Sequence, residues 1–408
     1  MELLSTLSMK EAKEKVRESF KDLVLEVEEV AIVEANNRIV AEDVVSPINV
    51  PEFNRSTVDG YAVISKDTNG ASESLPSFLN IVGEIEMGKA AKLTIKEGEA
   101  CYIPTGGMLP QGSDSVVMVE YTELLDEETV CMQKPVAPLE NVLQIGDDVK
   151  IGQVIFEKGQ LLRSQDIGVL AGMGFSKVKV FRKPRISIIS TGDELIGLNE
   201  KHELGKIRDM NTYSLSAAVE IDRCEVVEAT IVKDHFQSLK EVLIEALEKS
   251  DIILVSGGSS MGTKDITKDV INALGEPGVF IHGIAVKPGK PTIVGKIGNT
   301  AIFGLPGQPV SAMVIYQVLV RELIHHLYTL KQVQPYLMGE MTVNVSSGTG
   351  REHYVMVTVS QEGEKTTVTP VYGKSGMLTM MTKSIGYICI DQNQEGLYKG
   401  EKVKVYLF

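Results

Sequence analysis

Three loops in this 408-residue chain combine glycines, small hydroxyls and acids at spacings that suit the handling of an anion. They are Thr191-Gly-Asp-Glu-Leu195, Ser256-Gly-Gly-Ser-Ser-Met-Gly-Thr-Lys-Asp265 and Gly304-Leu-Pro-Gly-Gln-Pro-Val-Ser311. In the second loop Ser256, Gly257, Gly258, Ser259 and Ser260 offer backbone N–H groups free of bulky side chains, just ahead of an expected helix start. That arrangement suits a phosphate. Gly257 and Gly262 have the P-loop spacing, but Thr263-Lys264 reverses the required Lys-Ser/Thr order, so a nucleoside triphosphatase is disfavoured. A fourth motif, Lys287-Pro-Gly-Lys-Pro291, lies in a stretch (279–298) that contains Lys287, Lys290 and Lys296 and no Asp or Glu. Two prolines stiffen it, which favours an anion clamp of compact positive charges. Asp193, Glu194, Asp234, Asp265 and Asp269 fall among the same loops. Carboxylates oppose a bound phosphate unless a divalent cation intervenes, and Mg²⁺ commonly uses one or two carboxylates plus phosphate oxygens. The six histidines form no metal-spaced cluster and no G-x-S-x-G elbow is present, so nucleophilic hydrolase chemistry lacks support.

Each motif also has a plainer explanation. Glycine and proline close tight turns, the lysine loop reads equally as a solvated hairpin tip, and Asp265 suits a helix cap. Three such loops on one sheet edge favour a ligand site, because open parallel sheets bind ligands outside the carboxyl ends of their strands.

The elements that must position these loops are legible in outline. Short strands at 186–189, 225–232, 251–255 and 300–303 alternate with helices at 213–220, 238–249, 264–274 and 309–327. This alternation predicts a parallel sheet covered by helices on both faces, over residues 176–330. Ser8-Met-Lys-Glu11 has the layout of a capping box opening a helix to about Leu23. Residues 46–148 read as a β-rich insert, with a strand at Ser115–Val119. The flanking pieces 1–45 and 149–175, the latter with a short helix in LLRSQDIGVLAGMG, read as one interrupted domain. Residues 331–408 read as a small β domain with strands at Met341–Val345, Tyr354–Val359, Thr366–Val371 and Lys402–Leu407. The expected fold class is therefore multidomain α/β and β.

Composition narrows the field. Apolar residues at 43% and charged residues at 24% describe an ordinary globular chain long enough for several cores. No run of 18 apolar residues is available to span a membrane, and the first residues lack a signal-peptide layout, so a cytoplasmic protein is expected. A formal charge of −14 disfavours nucleic acid, whose binding rests on neutralising phosphates, but leaves room for a small anion held by locally gathered lysines. Four scattered cysteines without a CxxC pair argue for reduced thiols rather than zinc or disulfides.

Read in order, Pro51-Glu-Phe-Asn-Arg-Ser-Thr-Val-Asp-Gly-Tyr-Ala62, Ile103-Pro-Thr-Gly-Gly107, Ser190-Thr-Gly-Asp-Glu-Leu195, Ser256-Gly-Gly-Ser-Ser, Lys287-Pro-Gly-Lys-Pro291 and Gly304-Leu-Pro-Gly-Gln-Pro309 resemble the MoeA family. These are the molybdopterin molybdenumtransferases, related to the E domain of gephyrin. The resemblance spans nearly the whole chain and weakens after residue 330. It implies four domains, with a central three-layer, Rossmann-like molybdopterin-binding domain, a mixed linker domain and a barrel-like C-terminal domain. It also implies a homodimer, Mg²⁺ dependence, and insertion of molybdate into adenylylated molybdopterin with release of AMP. The active cleft would lie between the α/β domain of one subunit and the β insert of the other.

Carried over by motif, Asp59, Thr105, Asp148, Glu194, Asp234 and Asp265 match catalytic positions, with Glu194, Asp234 and Asp265 as metal ligands. Ser256, Gly257, Gly258, Ser259, Lys287, Lys290, Pro306, Pro309, Arg351 and, more weakly, Ser375 match binding positions. Two departures stand out. Gln308 replaces the asparagine usual after GLPG, and Gly283, beside His282, stands where some members carry a basic residue. Candidate partners are the adenylyltransferase acting one step earlier and the molybdoenzymes that receive the cofactor. Alternative readings are such an adenylyltransferase, a scaffold like the gephyrin E domain, and a generic phosphate-binding enzyme or sensor.

Overall fold

The computed structural model describes residues 6–257, 266–330 and 334–408. The expectations placed on Gly258, Ser259 and Asp265, and on the reversed Thr263-Lys264 pair, lie outside the described residues.

A six-stranded sheet forms the centre: β1 (Arg185–Thr191), β2 (Glu225–Val232), β3 (Ile252–Ser256), β4 (Pro277–His282), β5 (Ile293–Ile297) and β6 (Thr300–Leu305), in the order β2-β1-β3-β6-β5-β4. The first four in that order run parallel, and β5 and β4 add antiparallel at the edge. The sheet is therefore mixed, not purely parallel as its alternating pattern predicts. Only Gly298 and Asn299 separate β5 from β6, too few residues for a parallel crossover, and a Gly-Asn pair suits a hairpin.

Successive side chains alternate between two cores. Ile252 and Leu254 join one apolar cluster, Ile253 and Val255 the other, which makes a three-layer module. Helices Asn211–Ile221 and Pro309–Ile315 contribute to the first cluster, and Phe236–Leu247 and Ile266–Leu274 to the second. The stretch expected as one helix over 309–327 is continuous, but its middle, Tyr316–Val320, is a π-helical turn. Buried Tyr316 donates there to Asp222 over 2.9 Å.

The N-terminal helix forms at Met9–Ser19, with both halves of the Ser8–Glu11 capping box in place. Its buried face (Met9, Ala12, Val16) joins the first cluster of the α/β module, and Arg17 donates to Glu322. Further on, Val27–Ala31 pairs with Lys177–Phe181, and Val44–Val45 with Val154–Phe156, around Val40, Leu162, Leu170 and Val180. Chain segments on either side of the insert thus share one core. Between them, Val50 and Val149 bridge at the neck of a second six-stranded sheet that includes Gly60–Val63, Glu99–Ile103 and Ser115–Met118.

At the C-terminus, strands Tyr336–Met341, Glu352–Glu362, Lys365–Pro370, Gly386–Ile390 and Lys402–Leu407 close into a ring around Val357, Val368, Ile388 and Val405. The first strand, Tyr336–Met341, meets the expected Met341–Val345 only at Met341. Alternation runs on through Val345, but Val345–Ser346 leaves the ring to pair with Gly396–Leu397. Among the described residues no helix is long and apolar enough to cross a membrane.

Candidate functional site at the carboxyl edge of the central sheet

The register of the parallel strands lines up Ser190, Ser256 and Leu305, so the three glycine-containing loops leave the sheet side by side. Their backbones touch. Gly257 has φ +104°, and a Cβ there would lie 2.1 Å from the Thr191 carbonyl oxygen. Only glycine meets both demands. On its other side, the Gly257 N–H donates to the Leu305 carbonyl over 3.2 Å, and its Cα sits 3.5 Å from where a Gly307 Cβ would be.

Two buried residues at the start of helix Asn211–Ile221, Asp209 just ahead of it and Asn211 its first residue, organise this crossing. Asp209, 3% exposed, accepts on Oδ1 from the N–H groups of Asn211 (2.9 Å) and Thr212 (3.2 Å) and from the Ser190 hydroxyl (3.1 Å). Asn211, 7% exposed, donates through Nδ2 to Ser256 Oγ at 2.6 Å and to the Gly307 carbonyl at 2.9 Å. The remaining oxygens, Asp209 Oδ2 and Asn211 Oδ1, are buried without a hydrogen-bond partner. Both residues were missed in the sequence, although an acid two residues ahead of a helix is a readable N-terminal signal.

The acidic groups gather at the ends of β1 and β2. The Thr191 hydroxyl donates to Asp234 Oδ1 at a long 3.4 Å, and the Glu194 carboxylate lies over Gly192, 2.8 Å from a Cβ built there. Lys206 donates to the Asp193 carbonyl over 2.5 Å, and the Ile207 N–H donates to the Glu194 carbonyl over 2.8 Å. Among the described residues no set of three His, Cys, Asp or Glu side chains is placed to hold a metal. The four cysteines are free, and burial pushes Cys101 up to about 11 and Cys389 to about 12, so both are protonated thiols at neutral pH.

The lysine motif lies between β4 and β5, as a hairpin-like excursion that is anything but a free tip. Val286–Lys287 adds as a parallel strand beside Glu352–His353 of the C-terminal ring. Gly289 faces helix Pro309–Ile315, where a Cβ would lie 2.5 Å from Ile315 Cδ1. Leu7 pins the stretch before it, donating to the Gly283 carbonyl (3.3 Å) and accepting from the Ala285 N–H (2.7 Å). Lys287, Lys290 and Arg351 keep exposed side chains. His353 registers their charge: burial first, then the cations of Lys287 and Arg351, lower it to about 4. Lys296 belongs elsewhere, donating to the Ser19 carbonyl over 2.6 Å beneath the N-terminal helix.

Ser375 also reaches this edge. Its hydroxyl donates to Gln308 Oε1, and its carbonyl accepts from the Val310 N–H over 3.1 Å. The longer amide of Gln308 is thus engaged by the C-terminal segment. Pro306 is buried, and Pro309 occupies the first helical position, where its missing N–H costs nothing.

Asp59, Thr105 and Asp148 lie on the insert, with exposed side chains. Asp59 Oδ1 accepts from the Thr105 N–H (2.7 Å) and hydroxyl (2.9 Å). These bonds hold its carboxyl below the usual range. The Asp148 N–H donates to the Val50 carbonyl at the neck of the insert. The hydrogen bonds of these three residues stay within the insert and its neck, apart from the sheet edge.

Comparison with known proteins accounts for every module. Residues 7–174 match the MoeA N-terminal region (domain I and II), 187–326 a probable molybdopterin binding domain, and 339–408 the MoeA C-terminal region (domain IV). A putative molybdopterin biosynthesis protein of Methanocaldococcus jannaschii is 39% identical, over 93% of this chain and 92% of its own. The molybdopterin molybdenumtransferase of Haemophilus influenzae is 34% identical, with 92% of each chain covered. A solved molybdopterin biosynthesis MoeA protein of Pyrococcus horikoshii superposes with a TM-score of 0.83 at 35% identity, covering 99% of both chains. With similarity running the length of both sequence and fold, the chain belongs to the MoeA family.

Proposed function

We propose that the protein is a molybdopterin molybdenumtransferase that inserts molybdate into adenylylated molybdopterin and releases AMP. The observation that carries this reading is the meeting of anion-binding groups from separate modules at one sheet edge. Lys287 is strand-paired beside the ring residues that follow Arg351, and Ser375 is bonded to the GLPGQP loop. Both substrates are anions and repel each other. Lys287, Lys290 and Arg351 offset that repulsion with exposed positive charge. On this reading the reaction needs no nucleophilic side chain: position and charge carry it.

Glu194 and Asp234 are hard oxygen donors with few partners of their own, and they fit Mg²⁺, which completes its shell with water and phosphate oxygens. When bound, that ion neutralises charge between the carboxylates and the phosphate that leaves with AMP. Asp59, Thr105 and Asp148 are assigned to the same cleft through a second copy of the chain, so the reading includes a homodimer. Its substrate must come from an adenylyl-transfer step, and its product passes to enzymes that use the cofactor.

The test is incubation with adenylylated molybdopterin, molybdate and Mg²⁺, following AMP. Molybdate-dependent release that falls in excess chelator is expected. Adenylylation of molybdopterin from ATP would favour the adenylyltransferase reading, and tight binding without AMP release the scaffold reading.

A further inference from the structure

We propose that Asn211 is a positioning residue for the reaction: its amide clasps the Ser256-Gly257 and Gly307 loops together and so sets the floor on which the pterin ligand rests. This inference rests on the reading that the ligand binds at that edge. Among the described residues, Asn211 is the side chain whose hydrogen bonds join the two loops, at 2.6 Å to Ser256 Oγ and 2.9 Å to the Gly307 carbonyl. Both amide protons are used, and the two acceptors belong to loops that follow neighbouring strands, β3 and β6.

The geometry leaves the amide no alternative. Turning it over would aim Oδ1 at the Gly307 carbonyl, acceptor against acceptor. In the observed pose that oxygen goes without a partner, although it is buried. A buried acceptor without a partner costs free energy, so the arrangement is held by what the two donors achieve. The residue is itself pinned from below. Its backbone N–H donates to Asp209, which also takes the N–H of Thr212 and the hydroxyl of Ser190 on β1. A chain of contacts thus links β1, the helix start, β3 and β6 at the place where Gly257 and Gly307 nearly touch. At the crossing itself stand Gly257 and Gly307, the residue type that restricts the backbone least. A planar side chain with two fixed donors supplies the spacing that the loops lack.

Calorimetric binding of adenylylated molybdopterin tests this, with the melting temperature measured in parallel. Asn211→Ala should weaken binding about tenfold, as expected for two lost hydrogen bonds that leave buried acceptors behind. Asn211→Asp keeps the shape but replaces both donors with a charge, and should weaken binding at least as much. Should these variants not fold, Ser256→Ala removes one end of the clasp and should give a smaller loss. Ser187→Ala is the control for mere destabilisation. It breaks a buried hydroxyl pair with Ser250 (2.7 Å) in the same sheet, away from the loop edge. It should lower the melting temperature and leave affinity within twofold. Lys287→Ala separates this inference from the reading beneath it. If the Asn211 variants bind like wild type while Lys287→Ala binds weakly, the clasp is overturned and the site stands. If all of them bind like wild type, the ligand does not rest at this edge and both are overturned.

Discussion

The insert and the central sheet edge each present carboxylates, and they hold them in opposite ways. On the insert, exposed Asp59 is bonded by the N–H and hydroxyl of Thr105, within a single turn-to-turn contact. Its carboxyl is held below the usual range by those bonds, so it is an anion at every physiological pH with or without a ligand. At the sheet edge, Asp234 receives one long bond from Thr191, and Asp209 crowds three donors onto one oxygen while the other has none. The first region is locally complete. The second is strung across several strands and leaves hydrogen-bonding capacity unused. A self-sufficient group can be delivered from another chain. A distributed one must be built within a single chain.

That contrast breaks most sharply in mixed dimers. An Asp59→Ala subunit and an Asp234→Ala subunit, each inactive alone, should regain molybdate-dependent AMP release when co-assembled, because one cleft then has both regions intact. Mixed dimers as inactive as either parent would end the idea of a shared cleft.

Next in size is the effect of adding one carbon at the loop crossing. Gly257→Ala forces a Cβ against the Thr191 carbonyl at positive φ and should cost about 3 kcal/mol of stability, or fold with a displaced loop. Gly307→Ala, whose Cβ meets Gly257 Cα at an ordinary 3.5 Å, should be nearly neutral in stability. Equal denaturation midpoints for the two variants would contradict the backbone contact.

Lys287→Ala should reduce affinity for the anionic ligand by about 1.5–3 kcal/mol, the usual worth of a charge-assisted bond, with folding intact. Titration calorimetry at two salt concentrations checks both the loss and its electrostatic origin.

The smallest effect is on acid stability, and it separates the regions by pH window. His353 has a folded value of about 4, against 6.5 for a free histidine. The unfolded chain therefore binds the extra proton between those values, and stability falls as pH drops from about 6.5 toward 4. Asp59, also depressed, contributes stability that is present above its ordinary value of 3.8 and is lost only as pH falls further. His353→Gln should flatten the melting-temperature profile in the first window and leave the second unchanged. A profile that keeps its slope after that substitution would remove His353 as its source.

The strands and helices of the central module were largely readable, because buried parallel strands are short apolar runs and their helices have a clear 3.6-residue period. Glu225–Val232 forms as expected, and the 238–249 helix forms two residues early, at Phe236–Leu247. The antiparallel edge is not legible in the sequence, since the run 277–297 has no strong period and its lysine motif reads as a loop. In the C-terminal ring the strand Gly386–Ile390 went unread and the first strand was displaced by several residues. Alternation marks a strand without naming its partner.

Residue type and spacing, read along one dimension, were enough to pick out the glycine loops, the lysine motif, Asp59 with Thr105, and the family those motifs resemble. Motif chemistry is local, and glycine, proline and lysine carry it in their own covalent structure. What depended on the folded chain was every relation between distant segments. Lys287 meets the strand of His353 across 66 positions, Ser375 bonds Gln308 across 67, and Asn211 bonds Gly307 across 96. Nothing about Arg208-Asp-Met-Asn211 distinguishes it from an ordinary helix start until the sheet brings β3 and β6 beside it. Hydrogen bonds form between whatever groups packing brings within about 3 Å. Packing is a sum over the whole chain, so no short window of sequence contains it.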